Sequence, residues 1–161
     1  MPITPMHFGL IPLLIRVTRK RMSEVAFVLA NVVADIPVVL QVYADKVREF
    51  GAPESAYPFH TLHDNFSHHF GGALLLGLAL GLLGFKSSRW WLGCVLGTLT
   101  HVGLDMFVHH DLQPFAPWYL GSPFYIDGAH SVLSAVLAIG VAIWLLESWD
   151  ARRTRKAIGA S

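Results

Sequence analysis

The chain has 161 residues, of which 53% are hydrophobic and 14% charged, and its formal net charge is +1. With a mean hydropathy of +0.49, that balance excludes a disordered chain, a basic nucleic-acid module and an ordinary water-soluble domain. A single cysteine, Cys94, excludes an internal disulfide and a cysteine-based metal finger.

In chain order, Pro2–Ile15 is apolar but short and carries Pro2, Pro5 and Pro12, so it reads as a short membrane segment. Its basic cluster, Arg16, Arg19, Lys20 and Arg21, comes after the apolar run, the reverse of a signal peptide. Val25–Ala44, Phe70–Phe85, Trp90–Val108 and Ala129–Leu146 approach the roughly 17–25 residues that cross a hydrocarbon core about 30 Å thick. We therefore expect an all-α integral membrane helical bundle of four transmembrane helices plus the short N-terminal membrane segment. Residues 1–150 form one membrane-embedded domain, with a basic cytoplasmic tail at 151–161. Within the spans, Gly77/Gly81 and Gly93/Gly97 are small-xxx-small pairs that predict close helix approach.

Ten of the twelve Lys and Arg fall in three clusters: Arg16–Arg21, Lys86 with Arg89, and Arg152–Lys156. Four alternating spans put all three on one face, which the positive-inside rule makes cytoplasmic. The expected location is a bacterial inner (cytoplasmic) membrane, multi-pass, with the C-terminus cytoplasmic and the lipid bilayer as partner. Nothing indicates nucleic-acid binding.

Nine histidines are unusual in so apolar a chain. On this topology all of them lie towards the non-cytoplasmic side. Two carboxylates, Asp35 and Asp105, fall inside spans, where an ionisable group is costly unless paired or solvated. His101 and Asp105 form an H-x-x-x-D on one helix face, and His109 extends that stripe by a turn. His63 and His68 stand at the entry to the second span, while His7 and Asp35 lie in the N-terminal segment and the first span. Imidazole with carboxylate is a ligand set of zinc and related divalent ions, and helical bundles build metal sites from inward side chains on several helices. The candidate ligands of a divalent metal, zinc first, are thus His7, Asp35, His63, His68, His101 and Asp105. His109 and Asp111 are the candidate catalytic groups, since a base needs only to reach the attacking water. Asp35 and His101 lie at similar depth in their spans, roughly 13 Å and 10 Å from the outer ends. Asp35, His101 and Asp105 are therefore expected to converge on one point. His60, His110 and His130 read better as hydrogen-bonded structural residues.

Several segments stand in the order seen in YdjM-like proteins. They are Met-Pro-Ile-Thr-Pro-Met-His7-Phe-Gly, Ala34-Asp35-Ile-Pro, His63-x4-His68 and Gly97-Thr-Leu-Thr-His101-Val-Gly-Leu-Asp105. The chain resembles that family over about residues 1–120. Its members are bacterial inner-membrane proteins classed as metal-dependent hydrolases. The segment His109-His-Asp-Leu-Gln-Pro-Phe-Ala-Pro-Trp118 also resembles the stretch after the H-x-x-x-D in that group, and the H-x-x-x-D followed by Gln-Pro-Phe is faintly similar to zinc-dependent phospholipases C and their related nucleases. Two departures stand out. The second motif begins His63-Asp64 instead of His-Arg and ends Ser67-His68-His69 instead of Thr-His-Ser, which leaves both candidate ligands in place. Pro37 stands where the aspartate motif carries a second acidic residue, which removes a carboxylate that a site of two or more metals would use.

The resemblance implies a membrane-bound metal-dependent hydrolase that activates water against an ester or phosphoester. A pocket at headgroup level points to a lipid or lipid-linked substrate. The same residue types could also serve a haem-binding protein, a metal or proton transporter, or a non-catalytic family member. Asp35 and Asp105 weigh against haem, which does not use carboxylate ligands. The apolar character of the spans below Asp35 weighs against an ion path.

Overall fold

The computed structural model describes residues 4–49, 66–84 and 87–158, and all regular structure among them is helical. A 3-10 helix, Thr4–Leu10, runs directly into α1 (Ile11–Val17). Pro12 fits the first turn of α1 because the N–H it lacks has no partner at a helix start. A tight turn with Arg19 and Lys20 at φ 51° and 60° leads to α2 (Glu24–Glu49). After the 3-10 turn Phe66–His68 come α3 (Phe70–Leu82), α4 (Ser88–Asp105) and α5 (Ala129–Ile158). Ser87 caps α4, its hydroxyl accepting from the Trp90 N–H at 3.3 Å.

Helix α4 is the centre of the packing, with α2 and α3 against it. Gly93, Gly97, His101 and Asp105 are spaced by four residues, share one stripe of α4 and are all buried. The facing residues of α2 are small as well: Ala26, Ala30 and Ala34 have no exposed surface. A Cβ on Gly97 would lie 2.7 Å from the Phe27 carbonyl oxygen and 2.8 Å from the Ala30 Cβ, so only hydrogen fits there. On the other side of α4, a Cβ on Gly77 would fall 2.6 Å from the Thr98 hydroxyl. Both glycine pairs thus sit at close helix contacts, as their spacing predicts. One turn beyond the glycines, the same close approach sets Asp35 of α2 beside His101 of α4.

Helix α5 packs chiefly on the N-terminal segment, not on the α2–α4 core. The seam is Gly9 against Gly140, where a Cβ on Gly140 would collide with the Gly9 carbonyl. Away from that seam α5 presents Val132, Val136, Ile139 and Ile143 outward.

Four spans are not found. Among the described residues only α5, over Ala129–Arg155, is long and apolar enough to cross a membrane. The expected Phe70–Phe85 span is the 13-residue α3, ending at Leu82. At 1.5 Å per residue it reaches roughly 20 Å, short of a core about 30 Å thick. The N-terminal stretch Pro5–Val17 is likewise a short apolar helix. Helix α2 interrupts its apolar residues with Asn31, Asp35, Gln41 and Asp45, and α4 carries Arg89, His101 and Asp105. The four-span bundle with an N-terminal membrane segment is therefore corrected to a five-helix all-α fold with one helix suited to a bilayer. The multi-pass inner-membrane topology, with its cytoplasmic C-terminus and outward histidines, falls with it. Helix α5 continues through Ile158 and so takes in much of the basic stretch after residue 150.

Candidate metal centre

Four side chains from three separate elements meet at one point: Asp35 on α2, His68 at the end of the 3-10 turn, and His101 and Asp105 on α4. One donor atom from each lies within 4.8 Å of all the others. His101 Nε2 stands 3.0 Å from Asp35 Oδ1 and 3.2 Å from Asp105 Oδ2. His68 Nε2 stands 3.6 Å from Asp35 Oδ1 and 3.8 Å from Asp105 Oδ2. A tetrahedral zinc site with ligands at about 2.1 Å has neighbouring donors about 3.4 Å apart. The four distances bracket that edge and all donors lie within 4.8 Å, so the set suits a divalent ion in chemistry and could close on one with small side-chain movements. Both histidine side chains are fully buried and Asp105 nearly so, while Asp35 is 21% exposed and forms the open side.

The surroundings fix how His68 is presented. The Ser67 hydroxyl donates to the Ala34 carbonyl at 3.0 Å. Having spent its one proton there, Ser67 can only accept in its 3.1 Å contact with His68 Nδ1. His68 therefore carries its proton on Nδ1 and turns the Nε2 lone pair towards the two carboxylates, the orientation of a metal ligand. Ala34 lies on the turn where Pro37, inside α2, withholds the N–H that would meet the Val33 carbonyl. Ser67→Ala is expected to lower metal affinity roughly 10–100-fold while leaving the melting temperature within a few degrees. Titration of the variant with zinc against a chelating indicator checks this, and an unchanged affinity would refute the positioning role.

Behind His101 stands His7, with the two Nδ1 atoms 2.9 Å apart and the rings edge to face. One ring must donate and the other accept. When His101 donates from Nδ1, its Nε2 is bare and fit to hold a metal, and His7 carries its proton on Nε2, 3.3 Å from Asp105 Oδ1. When His7 donates instead, His101 carries its proton on Nε2 and shares it with the two carboxylates. Without an ion, burial alone would strip His101 of its proton, but the hydrogen bond to Asp35 and the charges of Asp105 and Asp35 outweigh it and raise its pKa. Burial likewise pushes Asp105 up, yet His7, His101 and His109 around it prevail and hold its carboxyl at about 2.

The structure thus brings together Asp35, His68, His101 and Asp105, and places His7 directly behind His101. His63, with His60 and Asp64, lies outside the described residues. His109 sits at the half-buried edge, its Nε2 3.8 Å from Asp105 Oδ1. Asp111 is two residues further on and half-buried, and neither it nor His109 belongs to the four-residue set. His110 and His130 are exposed. Ser67 escapes a reading of the sequence alone, although a hydroxyl beside a candidate ligand is the signal that could find it. No family model, no curated protein and no solved structure matches the chain.

Proposed function

We propose that the chain is a divalent-metal-dependent hydrolase, with zinc the first candidate, that cleaves an ester or phosphoester of a lipid or lipid-linked substrate. The observation that carries this reading is the two-imidazole, two-carboxylate set with its donors within 4.8 Å of one another. The resemblance of the segments around His7, Asp35, His68 and His101 to YdjM-like proteins supports it. So does an almost wholly apolar groove of about 660 Å³ beside the cluster, lined by Val33, Ile36, Pro37, Phe66, Ser67 and Leu75. Ile36 is next to Asp35 in the chain and Ser67 holds His68, so an acyl or prenyl chain in this groove would bring its polar end to the open side of the cluster.

When bound, the ion would supply Lewis acidity; because the four side chains fill a tetrahedral shell, the water it acidifies would have to enter as a fifth ligand on the open side at Asp35. Asp35 and Asp105 balance its charge, and His68 and His101 complete the set with neutral nitrogen. His7 orients His101 from behind. His109, largely buried and 3.8 Å from Asp105, would take the proton released during attack, with Asp111 the second candidate base. Haem is disfavoured by geometry: His68 and His101 meet edge to face with centroids 5.2 Å apart, and His7 and His101 at 4.5 Å, so no porphyrin slots between them.

The test is metal analysis of the purified chain, with turnover of short-chain phosphatidic acid and bis(p-nitrophenyl) phosphate before stripping, after chelation and after reloading. Activity should vanish with the metal and return with it, and His109→Gln should lose about 100-fold or more, the usual share of a general base. A fully loaded protein that hydrolyses neither substrate would overturn the enzymatic reading and leave a binding site.

A further inference from the structure

Members of the three basic clusters, far apart in sequence, meet in space. Lys20 comes from the turn before α2, Arg89 from the first turn of α4, and Arg152 and Arg155 from the end of α5. Together they line one pocket of about 610 Å³ at the end of α5, within the size range of small-ligand sites. Its apolar wall is Ile15, Met22 and Trp144. Two carboxylates also line it, but both are engaged. Glu24 accepts from Trp144 Nε1 at 2.7 Å, and Glu147 pairs with Arg16 at 2.9 Å. Among the described residues, no carboxylate pairs with Lys20, Arg89 or Arg155, so the pocket keeps a surplus of positive charge.

We infer that this pocket binds the phosphate-bearing headgroup of an anionic phospholipid. Charge alone would suit any phosphate, and the position of the pocket selects a lipid. It lies where the apolar run of α5, the one helix among the described residues fit for a bilayer, gives way to charge. Leu145 and Leu146 are exposed immediately before the pocket residues Glu147 and Ser148, so acyl chains can lie along the helix while the headgroup enters the pocket. Trp149 sits on the same boundary under the Arg153 guanidinium, 3.6 Å from its ring centroid, in the manner of residues at a membrane interface. The left-handed backbone of Arg19 and Lys20 turns the chain back at the pocket mouth, in a conformation that would favour glycine. Basic pockets of this kind, formed between helices at a membrane surface, select anionic headgroups.

The test uses the full-length protein in a neutral detergent, titrated by calorimetry with dioctanoyl phosphatidylglycerol, dioctanoyl phosphatidylcholine and inorganic phosphate. Saturable binding of phosphatidylglycerol is expected, with phosphatidylcholine and inorganic phosphate far weaker. Arg89→Gln with Arg155→Gln should weaken it about thirtyfold, near fivefold for each charge removed. Arg89→Lys with Arg155→Lys should keep most of it, showing that charge, not folding, is responsible. The inference is overturned if phosphatidylglycerol does not bind, if the glutamine pair binds it like wild type, or if phosphatidylcholine binds equally well. Displacement of the lipid by comparable inorganic phosphate would reassign the pocket to a free phosphate ligand and also overturn it. Metal content stays unchanged in both pairs, so failure here is distinguishable from failure of the hydrolase reading.

Discussion

Replacing His101 by alanine is expected to leave the purified chain without bound metal, a loss beyond the roughly 10–100-fold that accompanies removal of an outer partner. His101 works on two sides: Nε2 faces Asp35 and Asp105, and Nδ1 meets His7. Its removal strips a donor and leaves two carboxylates facing each other in a buried site. Uncompensated buried charge typically costs about 3–5 kcal/mol, so His101→Ala should also lower the melting temperature clearly. Asp105→Asn separates the two effects, because the amide keeps the shape and removes the charge. It should lose metal with a smaller loss of stability. Metal analysis beside thermal unfolding reads both. If His101→Ala and Asp105→Asn both retain stoichiometric metal, the four-residue centre is not a metal site.

Gly97→Val should disable the centre without touching any of its residues. A Cβ at Gly97 already meets the Phe27 carbonyl and the Ala30 Cβ at distances that real side chains do not tolerate, and both are rigid parts of α2. The added methyls must push α2 away from α4, at a cost of about 1–3 kcal/mol or more. Asp35 rides on α2 and His101 on α4, one turn beyond the contact, so the 3.0 Å pair opens with the helices. The expected result is a lower melting temperature together with lost metal. Gly103→Val is the control, since a Cβ there meets nothing within 4 Å. A Gly97→Val protein with normal metal content would show that helix spacing does not set the site.

The centre is more legible in the sequence than the fold around it. His101 and Asp105 come from helical spacing alone, and the depth of Asp35 points to their meeting because both helices have to bury their polar groups. The glycine pairs are legible for a similar reason: four-residue spacing puts them on one face whatever surrounds the helix. The topology is not legible, because hydropathy reports apolar content without reporting where a helix stops. Helix α3 ends at Leu82, so Leu83 and Gly84 lengthen the hydropathic run without lengthening the helix. The place of His7 against His101 is not legible in the sequence, because its Nδ1 contact depends on a turn-by-turn fit of the N-terminal 3-10 helix that no periodicity encodes. The convergence of Lys20, Arg89 and Arg155 is invisible for the same reason, since a one-sided charge bias does not reveal a shared pocket.

The Gly9–Gly140 seam joins segments 131 residues apart, and this sets the order in which the packing around the centre can form during synthesis. The segment carrying His7 is made well before the helix it packs against. At about 5–20 residues per second, the gap between Gly9 and Gly140 is roughly 7–26 s. Asp35, His68, His101 and Asp105 are all made within that interval, so the centre can gather before His7 is seated behind it. A nascent chain stalled before α5 would thus hold the four donors without their brace, and an ion captured at that stage would be exchanged more readily than one held after release.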